Sequence, residues 1–135
     1  MKKIFLFVLI LTSPILFNSC SDDDDKDPIV GQWELYKIIA NGVTVPIEPD
    51  DCDSKGILDF NSDGVFTAED FEENLAGDCV LEETAVGSWV NEGNNIYEIT
   101  VDGESELIEL TFENDTFSLT EEDGNITIEI IYKRI

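Results

Sequence analysis

Asn125-Ile126-Thr127-Ile128-Glu129-Ile130-Ile131-Tyr132-Lys133-Arg134 decides the fold. Ile126, Ile128, Ile130, Tyr132 and Arg134 share one parity, and Thr127, Glu129 and Lys133 take the other. That is the two-residue period of a strand with one face toward a core. Working back along the chain, the alternation recurs in Phe117 and Leu119, in Ile108, Leu110 and Phe112, in Tyr97, Ile99 and Val101, and in Trp33, Leu35 and Ile39. Asn61-Ser62-Asp63-Gly64, Gly93-Asn94, Asp102-Gly103, Asn114-Asp115 and Glu122-Asp123-Gly124 separate these runs with the positive-φ chemistry of tight hairpins. Strands are expected near 31–40, 56–60, 65–69, 84–91, 95–101, 105–112, 116–120 and 125–134, eight in all. Glu69 to Leu75 supports at most a short helical turn, and no long amphipathic helix is present for a parallel crossover. The expected fold class is therefore all-β: an eight-stranded antiparallel up-and-down barrel, which leaves no strand edge exposed.

Gly31-Gln32-Trp33 opens the first strand and Tyr132-Lys133-Arg134 ends the last. This resembles the lipocalin pattern, and more closely the small lipocalin-like domains of bacterial lipoproteins, which add a central cysteine pair and a second Gly-x-Trp like Gly87-Ser88-Trp89. The resemblance covers residues 29 to 135. It implies that Gly31, Trp33 and Arg134 close the barrel, with the guanidinium lying over the indole. It also implies a non-catalytic module that binds a small apolar ligand without a cofactor. Leu35, Phe60, Phe66, Trp89, Tyr97, Ile99, Leu110, Phe112, Phe117 and Tyr132 are the candidate lining residues. An eight-stranded barrel can hold one small ligand or be filled by its own side chains. In the second case the acidic exterior would engage another envelope protein. The chain is shorter than a full-size lipocalin and has small hairpin loops.

The N-terminus carries an address. Lys2 and Lys3 precede an apolar stretch from Ile4 to Phe17, the order of a signal peptide, and Leu16-Phe17-Asn18-Ser19-Cys20 resembles a lipobox. The stretch falls short of the roughly 20 residues needed to span a bilayer, and Pro14 interrupts it. Residues 1–19 are thus expected to be a leader, and Cys20 a lipidated N-terminus that supplies the protein's contact with a membrane. Simple secretion with cleavage nearby is the alternative. Residues 20–28 include Asp22-Asp23-Asp24-Asp25, a charge block that cannot collapse onto a core and should act as a solvated tether. It also resembles acidic export signals that send lipoproteins to the outer face of the outer membrane. The plain alternative is a spacer with no address.

Removing residues 1–19 takes away Lys2 and Lys3 but none of the 31 acidic residues, so the formal charge of −24 becomes −26. Such a surface repels phosphate backbones and anionic headgroups, which argues against nucleic-acid binding. With Cys20 lipidated, Cys52 and Cys79 remain as an even pair in an oxidising compartment and should form a disulfide. The remaining 116 residues suffice for one domain, expected to be a monomer.

Asp59, Asn61, Asp63 and Asp70 occupy ligand positions of an EF-hand loop, and this is the one weak metal candidate. Asp70 is shorter than the usual bidentate Glu, the segment before Asp59 is a poor entering helix, and Asn61 to Gly64 serves equally well as a hairpin. Catalysis finds little footing. The chain has no histidine, which excludes Ser-His, Cys-His and His-metal arrangements, and acidic residues are too abundant for a carboxylate pair to stand out. No Gly-rich phosphate loop is present.

Overall fold

The computed structural model describes residues 26–48 and 50–135. The alternation read from the C-terminal stretch becomes a long antiparallel sheet. Its strands in chain order are β1 (Gly31–Ala40), β2 (Val43–Val45), β3 (Ile57–Phe60), β4 (Val65–Glu73), β5 (Cys79–Gly93), β6 (Ile96–Val101), β7 (Glu104–Glu109), β8 (Thr111–Glu113), β9 (Thr116–Asp123) and β10 (Ile126–Arg134). Among the described residues, a 3-10 turn, Cys52–Lys55, precedes β3. The strand order is β7-β6-β5-β4-β3-β1-β10-β9-β8, with β2 laid against β1. The first strand pairs with the last, so the sheet curls into a nearly closed barrel.

Four expectations need correction. The strand count is ten rather than eight. Val43–Val45 folds back on Ile38–Ala40 through Asn41-Gly42, both at positive φ, and is too short to show a period. The run expected over Ser105–Phe112 breaks at Leu110, whose N–H donates to the Asn95 carbonyl at 2.9 Å as its side chain turns into the core. Glu69 to Leu75 makes no helical turn. β4 continues through Glu73, because Phe71, Glu72 and Glu73 find partners in Leu81, Val80 and Cys79, and cross-strand pairing overrides a weak local preference.

The third correction concerns Ile39, expected to share a face with Trp33 and Leu35. A bulge shifts the register between Leu35 and Lys37, so that Ile38 and Ala40 pair with Ile130 and Ile128 while Ile39 pairs with Glu129. One extra residue exchanges the two faces of the strand beyond it. Finally, the barrel wall has a seam. β7 and β8 are the ends of the sheet order, and no ladder joins β7 to β9. Glu104, Glu106 and Glu109 on β7 and Glu121, Glu122 and Asp123 on β9 would bring like charges together there.

Ile29, Val30, Trp33, Phe60, Phe66, Trp89, Tyr97, Leu110 and Phe117 form the buried core. Phe117 is its hub, with ring centroids 4.7 Å from Trp33, 5.0 Å from Tyr132 and 6.1 Å from Phe112. The Trp33 contact is edge-to-face, a favoured aromatic geometry.

Candidate functional site

The two ends of the barrel are built differently. At the end where β1 begins, Trp33 is only 1% exposed and donates its indole N–H to the Ile29 carbonyl at 2.7 Å. Arg134 stands directly across the ladder from it, with its guanidinium carbon 4.2 Å from the indole centroid. The same guanidinium donates to the Val30 carbonyl at 2.6 Å and the Pro28 carbonyl at 2.7 Å. Gly31 has φ +140° and lies against Arg134, so a side chain at that position would collide with the guanidinium. The glycine is thus what admits the clasp. The second Gly-x-Trp behaves alike: a Cβ on Gly87 would strike the Thr100 carbonyl, and Trp89 donates its indole N–H to the Asn61 carbonyl at 2.9 Å.

Asp27 completes this closed end. Its carboxylate accepts from the Tyr97 hydroxyl at 2.9 Å, from the Asn91 side-chain amide at 2.6 Å and from the Ile29 N–H at 3.0 Å. Asp27 and Pro28, read from sequence as the end of the tether, are therefore fastened to the barrel. Burial, then the hydrogen bond to Asp27, then that carboxylate's charge raise the Tyr97 hydroxyl well above the ordinary tyrosine range. Burial first, then the charges of Glu121 and Asp70, raise Tyr132 as well.

Above the closed end lies an apolar cavity of about 180 Å³. Phe60, Phe66, Tyr97, Ile99, Leu110, Phe117 and Tyr132, seven of the residues expected to line a pocket, do line it. Leu58, Ile108 and Leu119 join them from inward strand positions, and Ile29 enters from the segment before β1. Trp89 and Phe112 pack in and against the core without lining the cavity, and Leu35 lines a separate cleft of about 80 Å³ with Leu58 and Tyr132. Ile29 was not legible from alternation, because it precedes the first strand. Its only signal was an apolar residue two places after an aspartate that needed a partner.

The opposite end is open. Its hairpins carry Asn41-Gly42, Asp102-Gly103 and Gly124, and its one covalent tie is the Cys52–Cys79 disulfide, with Cα atoms 5.4 Å apart, joining the 3-10 turn to the start of β5. A cleft of about 560 Å³ runs from the cavity to this mouth along β6 and β7, sharing Ile99 and Ile108 with the cavity.

The EF-hand positions do not converge. Asp59 faces outward and accepts from the Gln32 side chain at 2.9 Å, Asp63 caps the Val65 N–H at 3.1 Å within the β3–β4 hairpin, and Asp70 lies on the inward face of β4. The hairpin alternative describes the geometry.

A plugged end, a Gly-x-Trp clasped by a terminal arginine and first-to-last strand pairing agree with the comparison of families: a model of the lipocalin-like domain matches residues 29–119. The chain belongs to the lipocalin-like domain family. The match runs from Ile29 through Leu119, halfway along β9, so the lipocalin-like domain contains the cavity-lining residues other than Tyr132 of β10. No curated protein matches the chain. The lipocalin-like barrel is compatible with binding a small hydrophobic ligand. Cys20 and the aspartate run lie outside the described residues.

Proposed function

We propose that this lipocalin-like domain is a non-catalytic binding module of the cell envelope that takes a small apolar ligand into its barrel. The observation that carries the reading is the cavity of about 180 Å³, walled by Phe, Leu, Ile and Tyr side chains and opening toward the mouth. An apolar cavity of about 150 Å³ is large enough for benzene and stays dry when empty. The tyrosines that touch it are held neutral, and the chain has no histidine to serve as a base.

The test is thermal unfolding of the full chain carrying Cys20→Ala, which removes the acyl attachment point, with and without benzene. Benzene should raise Tm progressively with the logarithm of its concentration once that exceeds Kd, as a ligand of the folded state must. Leu119→Trp, which fills the cavity, should abolish that rise. An equal rise in the filled variant, or none in either, defeats the reading.

A second reading rests on the same volume, which lies below the roughly 300 Å³ at the low end of ligand pockets. On that reading the aromatic core is filled for stability and the acidic exterior engages another envelope protein. The proposed location is the outer membrane, exposed to the cell exterior, through a lipid on Cys20. Cys20→Ala should then release a soluble form. Neutralising Asp22 to Asp25 should preserve lipidation yet reduce labelling by an antibody added outside the cell, and undiminished labelling would make that run a spacer.

A further inference from the structure

Cross-strand partners lie on one face of a sheet, so the buried Tyr97 and its neighbours on β6 fix which side of β7 looks inward. Tyr97 pairs with Ile108, Ile99 with Glu106 and Val101 with Glu104. Two glutamates therefore occupy inward positions on β7, while Leu107, next after Glu106, is 66% exposed on the outside. The hydrophobic pattern of this strand is inverted toward the mouth. The inversion is repeated around the opening. On β9, Glu121 pairs with Ile128 and Asp123 with Ile126, on the face of Phe117 and Leu119. On β4 and β5, Asp70 pairs with Glu83, on the face of Phe66 and Ala68.

These carboxylates are exposed, as a mouth requires, but they stand over the cavity. Glu104 and Glu106 line the open cleft that shares Ile99 and Ile108 with it. Asp70 and Glu121 lie close enough to Tyr132, a lining residue, for their charges to act on its hydroxyl. Among the described lysines, Lys37 and Lys133 take outward positions and Lys26 precedes the plug at the other end, while Lys55, in the 3-10 turn at the mouth end, lines a separate cleft with Asp50, Glu73 and Asp78.

The geometry points to a cationic amphiphile as the ligand class: a compact apolar group in the cavity, with an ammonium or guanidinium head at the carboxylate-lined mouth. This rests on the apolar-cavity reading above and adds the head group. An apolar floor alone is indifferent to the head, whereas a mouth with a large excess of carboxylates attracts a cation and repels an anion.

The test uses three probes with one phenethyl tail, 2-phenylethylammonium, 2-phenylethanol and 3-phenylpropanoate, titrated calorimetrically into the full chain carrying Cys20→Ala. At low salt the ammonium should bind about tenfold more tightly than the alcohol, or about 1.4 kcal/mol, and the carboxylate more weakly than either. The preference should collapse near 1 M NaCl, where the screening length is about 3 Å. Glu104→Gln with Glu106→Gln, and separately Glu121→Gln, should lower ammonium affinity and leave the alcohol unchanged.

Equal binding of ammonium and alcohol would overturn the cationic head and leave the apolar cavity standing. Binding of none of the three would overturn both. Gln variants that self-associate while keeping the head-group preference would also overturn the inference, since inward charges then serve only to protect the unpaired edge of β7.

Discussion

Trp33 and Arg134 face each other across the β1–β10 ladder, 101 positions apart in sequence, and the contact is the point where the chain closes on itself. Truncating a buried Trp removes both transfer energy and packing, so Trp33→Ala should lower stability by about 3 to 5 kcal/mol in urea denaturation. Arg134→Ala should cost less, about 1 to 2 kcal/mol. Because the two side chains share one contact, the double variant should fall short of the sum, and strict additivity would show that they do not cooperate. Tyr97 and Tyr132 offer a second measurement. Their folded pKa values are raised above the unfolded value of about 10, so the native state holds its phenolic protons longer than the unfolded one. The associated stability is complete below about pH 10 and is lost as pH climbs through the folded values. Absorbance of phenolate should show two of the three tyrosines ionising only above that pH, together with alkaline unfolding, and Tyr97→Phe should remove one of the late steps. Much at this scale was legible in advance. Trp33, Gly31 and Arg134 were readable because short motifs and parity named them. Asp27 was not, because an aspartate at the end of a charged run gives no sign that it will meet Tyr97, 70 residues later.

Among the elements, the strands with clean alternation were readable and the exceptions were those set by a partner. The bulge after Leu35 follows from registration against β10, and the extension of β4 to Glu73 follows from the length of β5. Neither leaves a mark in its own residues. The inward glutamates of β7 belong with these: Glu104 and Glu106 are placed on the inner face by their partners Val101 and Ile99 and not by their own chemistry. The disulfide acts at this scale as the covalent tie between the 3-10 turn and β5. Closing a loop of separation 27 should stabilise the fold by about 3 to 4 kcal/mol in a chain-entropy account. The paired Cys52→Ser and Cys79→Ser variant should therefore lower the unfolding free energy by that amount and move the urea midpoint downward by that free energy divided by the m-value. An unchanged midpoint would mean that the 3-10 turn and β5 are held by packing alone.

At the scale of the molecule, charge opposes the barrel that burial builds. A formal charge of −24 concentrates self-repulsion in the folded state, so Tm should rise as NaCl goes from about 10 mM to about 0.15 M and the screening length falls from about 30 Å to about 8 Å. A Tm indifferent to salt would show that the carboxylates are spaced widely enough not to interact. The plug carries one more consequence. The chain reaches the barrel at Asp27, on the end sealed by Arg134, while the mouth hairpins lie at the other end. Seven peptide units separate Cys20 from Asp27, a contour of no more than about 25 Å. With Cys20 as the proposed point of attachment, the molecule would be polarised like a cup on a short stem: its sealed base would be held near the bilayer and its opening would look away from it, so that cargo would arrive from the aqueous side and not from the lipid.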